Sequence, residues 1–348
     1  DVLNTGGGNM TLLNKVSGNI TAAAGATMNA GNGDISVTNH ADSGLISLQD
    51  LTGAKITVAS ESMNLAAGIA AITLNGLVTA GDAVLVTSKT GDIQIDKNIT
   101  STVAGNASAI IVAAGTSAGA TDSTGGDVKL NGGKLFVDPS SRAIIFSGSL
   151  AGTTGLDATF PGAGHYRYNV AYNNTSRIAD TTGTYVQFRQ QPTLNISLPD
   201  KVYDATILDA LDWNNYIVIN GWLPGDGPGN NPLTGRLVFN QDATVVARNA
   251  GNYTIDPAML SDTLGYKLDF TNSPSFNITP KQINIINMVV ATREYDGTTI
   301  AHITGGLLDG VLGNDDVSLA GTTGQFNDKN AGQNKTVQVT NAMLSGLQ

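Results

Sequence analysis

Six short stretches early in the chain alternate apolar with polar residues behind a small or turn-forming residue: Gly33-Asp-Ile-Ser-Val37, Gly44-Leu-Ile-Ser-Leu48, Ala54-Lys-Ile-Thr-Val58, Ala71-Ile-Thr-Leu74, Gly91-Asp-Ile-Gln-Ile95 and Gly126-Asp-Val-Lys-Leu130. Period-two alternation makes each a strand with one buried face. Ile35 and Ile56 lie 21 positions apart, as do Ile72 and Ile93. Strands that recur at about 20 residues with no helical pattern between them stack as coils. The spacing predicts an all-β fold beginning with a right-handed parallel β-helix over residues 1–150. An antiparallel sandwich is the alternative, but this segment has no clear Asn-Gly or Asp-Gly turns joining equal strands.

The second half repeats in a different way. Lys201-Val-Tyr-Asp204, Gly225-Asp-Gly-Pro-Gly229 and Arg248-Asn-Ala-Gly-Asn252 are followed, in the same order, by Arg293-Glu-Tyr-Asp-Gly297, Gly313-Asn-Asp-Asp316 and Lys329-Asn-Ala-Gly-Gln333. A Tyr-Asp turn, a Gly/Asp loop and an Asn-Ala-Gly turn thus occur twice, which predicts small tandem β-sandwich-like domains over 192–281 and 282–348. Between the two regimes, residues 151–191 form a cap or last coil and a linker. Phe136-Val-Asp-Pro139, Arg142-Ala-Ile-Ile-Phe146-Ser-Gly148 and His165-Tyr-Arg-Tyr168 bring in aromatics and arginines that the earlier coils lack. A stacked sheet has an open end that needs covering. His165 and Arg167 beside two tyrosines either belong to that cover or line a ligand site.

Composition narrows the partners. Gly fills 42 of 348 positions, and charged residues are 13%, against roughly 25% in an average domain. A net charge of −10 and no clustered Lys or Arg argue against nucleic acid as a partner. No apolar run reaches the roughly 18 residues of a membrane span. With no cysteine, disulfides and thiolate chemistry are excluded; a chain threaded unfolded through an outer-membrane pore benefits from that absence.

No catalytic constellation emerges. Glu61 is the only glutamate before the repeats, and His40, His165 and His302 are scattered without metal-ligand spacing. The Gly-x-Gly-x-Gly of 225–229 follows Trp222-Leu-Pro224 rather than a strand leading into a helix, so it is no dinucleotide fingerprint. No enzyme activity and no cofactor are expected.

Two sets of residues are candidate binding groups. Trp213 and Trp222, with Asn215 and Tyr216 nearby, have the flat faces and amides that stack on sugar rings and bond hydroxyls; equally, the tryptophans fill the core of an aromatic-poor domain. Asp226 in one repeat and Asp315 with Asp316 in the other occupy matching loops. Their oxygens either bind calcium weakly or shape the turns. Asp34, Asp82, Asp92 and Asp127 pose the same choice nearer the start, where turn formation is the reading that fits without a Gly-Gly-x-Gly-x-Asp tandem.

These residues carry a resemblance. Residues 18–191 resemble the β-helical shaft of filamentous-haemagglutinin-like exoproteins secreted by the two-partner route. Residues 192–281 resemble the MBG repeat, through Lys201 to Asp204, Ala247 to Tyr253 and the exit Phe276-Asn-Ile-Thr-Pro-Lys281. Residues 293–348 resemble the YDG repeat, through Tyr295-Asp-Gly297, Gly313 to Leu319, Phe326-Asn-Asp-Lys-Asn-Ala-Gly332 and Lys335-Thr-Val337. The resemblance implies a secreted, cell-surface or biofilm-matrix adhesin, with an outer-membrane transporter as partner during secretion and polysaccharide or a neighbouring or host cell surface as target. It also implies that the second repeat ends at Gln348 before its closing strand. The three functions in play are a structural stalk, a carbohydrate-recognition module and a self-associating protein.

Overall fold

The computed structural model describes residues 2–66, 68–156, 165–207, 216–227, 233–240, 242, 247–256, 259–271, 274–313 and 315–346. They form an all-β protein, and among them no helix is long and apolar enough to cross a membrane. The chain divides into two compact units. The first comprises Asp1–Asn195, Ile219–Thr234 and Ser261–Asp269, and the second Ile196–Val218, Gly235–Leu260 and Phe270–Gln348. The stretch 192–281, expected as one repeat, is shared between them.

In the first unit three parallel sheets run side by side, each taking one strand from each of the first five coils. One coil is Thr27–Asn29, Ile35–Asn39 and Ile46–Leu48; the next is Asp50–Gly53, Ile56–Ser60 and Ala70–Leu74. The two 21-residue spacings are literal neighbours, with Ile35 paired to Ile56 and Ile72 to Ile93 across adjacent coils. This is the stacked parallel arrangement of a β-helix. The alternation drives it: inward residues line up as Ile35, Ile56, Val84 and Ile110, and as Val37, Val58, Val86 and Val112, all at most 1% exposed. Each such side chain contributes about 1.5–3 kcal/mol by leaving water.

A spacing near 20 describes only some coils. Ile110 pairs with Ala143 and Ala143 with Thr184, separations of 33 and 41, because irregular loops intervene without disturbing register. The central sheet continues past residue 150. Gly183–Phe188 adds in parallel to Arg142–Ser147, and Tyr166–Arg167 adds to Gly183–Phe188, so residues 166–188 contribute last coils. Phe146, Tyr185, Val170 and Ile178 pack together there, and Tyr172 meets Phe146 edge-on at 5.4 Å.

Two arginines are buried in this region. Arg189 is 1% exposed and donates through Nε, Nη1 and Nη2 to the carbonyls of Asp122, Ala114 and Gly126 at 2.8, 2.6 and 2.8 Å. Gly115, at φ 68°, and Gly148 come so near that a Cβ on either would meet Nη2 at 2.6 or 2.8 Å. Arg142 donates to the carbonyls of Ala107 and Asp180. Burial disfavours the charged form of both, lowering their pKa.

The early aspartates act through the backbone, in ways that go beyond turns. Asp34 accepts the Lys55 N–H of the next coil. Asp92 lies within strand Asp92–Ile95, buried, where it pairs with Lys129 at 2.5 Å and accepts the Asp127 N–H. Asp127 accepts the Ser149 N–H and hydroxyl.

The second unit contains small sheets. Lys201–Val202, Ser275–Thr279, Gly251–Asp256 and Val238–Phe239 lie in that order in one sheet, closed by mutual contacts of Phe239, Tyr253 and Phe276. Further along, Asn284–Val290 pairs antiparallel with Ile303–Asp309, Ile300–Ala301 and Val337–Val339 flank Gly324–Phe326, and Val317–Ala320 pairs with Met343–Gly346.

Candidate functional site

The two Tyr-Asp turns fold identically. Asp204 Oδ1 accepts the Thr206 N–H and hydroxyl and the Lys201 ammonium; Asp296 Oδ1 accepts the Thr298 N–H and hydroxyl, and Arg293 pairs with the same carboxylate. Burial acts to raise the Asp204 pKa, but Lys201 and Thr206 outweigh it and bring the group down to about 2. The Thr298 donors and Arg293 lower Asp296 likewise. A self-contained turn of this kind, needing only Asp with Thr two positions on, explains why the motif survives Gly→Ala at position 205, where Ala205 takes φ 62°.

Asp226 and Asp315, expected in matching loops, share a different chemistry: each is engaged by tyrosine. In the first unit Asp226 Oδ2 accepts the hydroxyls of Tyr168 and Tyr266, both at 2.7 Å. Tyr266 Oη in turn accepts the Leu223 N–H at 3.1 Å. Trp222 sits edge-on to Tyr266 at 5.2 Å, and Tyr266 edge-on to Tyr168 at 4.9 Å. Burial and the adjoining carboxylate raise the pKa of both tyrosines. Asp226 Oδ1 and Trp222 Nε1 are buried with no hydrogen-bond partner among the described residues.

In the second unit Asp315 Oδ1 accepts the Tyr203 hydroxyl at 2.7 Å and faces Arg248 Nη2 at 3.6 Å. Tyr203 and Asp315 border a cleft of about 400 Å³ whose walls include Asn249, Lys281, Leu312 and Leu344. Asp316, the next residue, is exposed.

Of the candidate sugar-binding residues, Trp213 and Asn215 lie outside the described residues. Tyr216 is half-buried beneath the Lys201 ammonium, 5.4 Å from its ring centroid. Trp222 and Asp226 are brought together through Tyr266. Of the candidate cation ligands, Asp226 belongs to the first unit and Asp315 and Asp316 to the second. Among the described residues no group of three His, Asp or Glu side chains is placed to hold a metal ion. His165 contacts the Thr184 carbonyl and lies 5.2 Å from the Tyr185 ring, and the Arg167 guanidinium lies over the same ring at 5.6 Å.

The sequence reading missed Tyr168 and Tyr266 as partners of Asp226, since 58 and 40 positions separate them from it. It also missed a signal in plain view: Ala258-Met-Leu-Ser261 recurs unchanged as Ala342-Met-Leu-Ser345. The structure gives both copies the same hydroxyl pairing, Thr234 with Ser261 at 2.7 Å and Ser318 with Ser345 at 2.8 Å.

Comparison with known proteins agrees with the later repeat. No curated protein and no solved structure matches the chain. Residues 279–348 match the YDG domain family, three residues earlier than the boundary expected from the sequence.

Proposed function

We propose that this chain is a non-enzymatic segment of an extracellular adhesive protein, in which stacked β-coils and small YDG-type modules act as a spacer. The observation that carries this reading is the in-register stacking of the central sheet, in which successive coils repeat the same strand contacts and add length rather than a pocket. Carboxylates that a hydrolase would aim at a substrate are instead occupied by tyrosine hydroxyls and basic side chains at Asp226, Asp315 and Asp92. Many such modules in one protein make weak surface contacts additive through effective concentration. Polysaccharide or an opposing cell surface is the partner class, and the lack of cysteine suits export as an unfolded chain through an outer-membrane transporter.

The test is a screen of the folded chain against glycans and exopolysaccharides, with calcium and with chelator. A spacer shows no saturable binding to any of them, since its single contacts are weak. Saturable binding would transfer the function to carbohydrate recognition, and its loss on chelation would assign a cation to the acidic loops.

A further inference from the structure

The three motifs that recur in the second half of the chain meet at one point within the second unit. Asp315, in the Gly/Asp loop of the second repeat, has a side chain only 5% exposed. Its Oδ1 accepts the hydroxyl of Tyr203, from the Tyr-Asp turn of the first repeat, at 2.7 Å. The same oxygen faces Nη2 of Arg248, from that repeat's Asn-Ala-Gly turn, at 3.6 Å. A carboxylate taken out of water needs such partners, and both come from the repeat before.

The carboxylate is not what shapes its own loop. Backbone closes that loop, the Asp315 N–H bonding the Leu312 carbonyl at 3.1 Å with Gly313 at φ 56°. Among the described residues the Asp315 side chain has no partner within the second repeat. The Gly/Asp loop of the first repeat is built alike: the Asp226 N–H bonds the Leu223 carbonyl at 3.0 Å, and Gly225 has φ 89°. Beside Tyr266 of its own repeat, Asp226 also takes the hydroxyl of Tyr168, which lies in the last coils ahead of that repeat. A Leu-x-x-Asp turn thus meets a tyrosine of the preceding element twice. At Asp315 the meeting is wider than one bond, since Leu312 borders the same cleft as Tyr203, Asn249 and Ala250 of the first repeat.

We infer that Tyr203 and Arg248 form a socket for the Leu312-to-Asp315 loop, so that the Tyr-Asp and Asn-Ala-Gly turns of one repeat fasten the Gly/Asp loop of the next. The occupant is the loop seated there, a Leu-x-x-Asp turn presenting its carboxylate. Within the Tyr-Asp turn the two residues act separately: Asp204 closes the turn on Thr206 and Lys201, while Tyr203 reaches the following repeat. A socket made from the first and third motifs receives the second motif only across a repeat boundary, which gives the fixed order of the motifs a physical role. The fastening does not depend on the spacer function.

The experiment follows amide exchange of the full chain in Tyr203→Phe, Asp315→Ala and the double variant. Tyr203→Phe keeps the ring and leaves Asp204 to close its own turn, so Gly251–Asp256 in the first repeat should stay protected. The amides of Val317–Ala320 in the second repeat should exchange about threefold or more faster in each single variant, as loss of a hydrogen bond to a carboxylate implies. The double variant should exchange no faster than Asp315→Ala, the mark of a shared interaction. Tyrosine titration by NMR gives a second readout. The bond from its hydroxyl to Asp315 raises the Tyr203 pKa, against the pull of Arg248, so Tyr203 should ionise at lower pH in Asp315→Ala. Four results would overturn the proposal: unchanged exchange at Val317–Ala320 in Tyr203→Phe, additive effects in the double variant, loss of protection confined to Gly251–Asp256, or unaltered Tyr203 ionisation in Asp315→Ala.

Discussion

Arg189 Nη2 donates to the Gly126 carbonyl at 2.8 Å across 63 positions of sequence. With Nε and Nη1 on Asp122 and Ala114, one guanidinium satisfies two further loop carbonyls and shares that of Gly126 with the Gly148 N–H. Arg189→Met should cost about 3 kcal/mol, the penalty of stranding those acceptors. Arg189→Lys should recover little, because an ammonium lacks the planar fork. Urea denaturation of the two variants checks this, and equal stability to the parent would refute it.

The inward columns set a second expectation. Ile56 is fully buried between Ile35 and Val84, so Ile56→Ala should destabilise by about 2–5 kcal/mol. Thr57, directed outward in the same strand, should tolerate alanine within about 0.5 kcal/mol. Chemical denaturation of the pair measures the contrast between the two faces.

Asp226 gathers two tyrosine hydroxyls, so its removal leaves both without an acceptor. Asp226→Ala should cost about 2–3 kcal/mol, and ultraviolet titration should show tyrosines ionising at lower pH than in the parent. Trp222→Ala should lower the melting temperature as well, since the indole packs on Tyr266. An unchanged melting temperature would free Trp222 for ligand stacking.

Acid acts on the Tyr-Asp turns. The Asp204 pKa falls from 3.8 to about 2 on folding, and that of Asp296 is lowered too. A depressed carboxylate stabilises the fold above its unfolded pKa and loses that contribution as pH falls through the folded value. The Asp204 turn should therefore hold at pH 5 and loosen between about pH 4 and 2, read from the amide resonance of Thr206, and the Asp296 turn should likewise loosen only below the ordinary carboxylate range, read from Thr298. A transition centred above pH 4 would contradict this.

Alkali acts elsewhere. Burial, reinforced by the bond to Asp180, pushes the Tyr185 hydroxyl up to about 12 against the pull of Arg167 and Arg142. A raised pKa means its contribution is whole below pH 10 and is lost as pH rises through 12. The last coils should consequently lose stability in that window, and Tyr185→Phe should flatten the pH dependence of their thermal unfolding seen by circular dichroism.

Much of the coil architecture was legible because a two-residue period with repeated spacing admits few arrangements: Ile35 with Ile56 and Ile72 with Ile93 could be paired from the sequence. Coil length was less legible, since loops such as 116–126 carry no periodicity and are held by distant groups like Arg189. The acidic residues were least legible of all. Asp92, Asp226 and Asp315 are defined by Lys129, Tyr168 with Tyr266, and Tyr203, partners whose proximity only the completed fold creates. The Tyr-Asp turn was readable because its bonds close within three residues.

The parallel ladder of the central sheet keeps register whether neighbouring strands are separated by 21 residues, as at Ile35 and Ile56, or by 41, as at Ala143 and Thr184. Every coil therefore advances the stack by one strand spacing, about 4.8 Å, however many residues it consumes. Pitch and contour length are uncoupled: a loop can be lengthened, shortened or exchanged at a corner while everything beyond it keeps its place along the ladder.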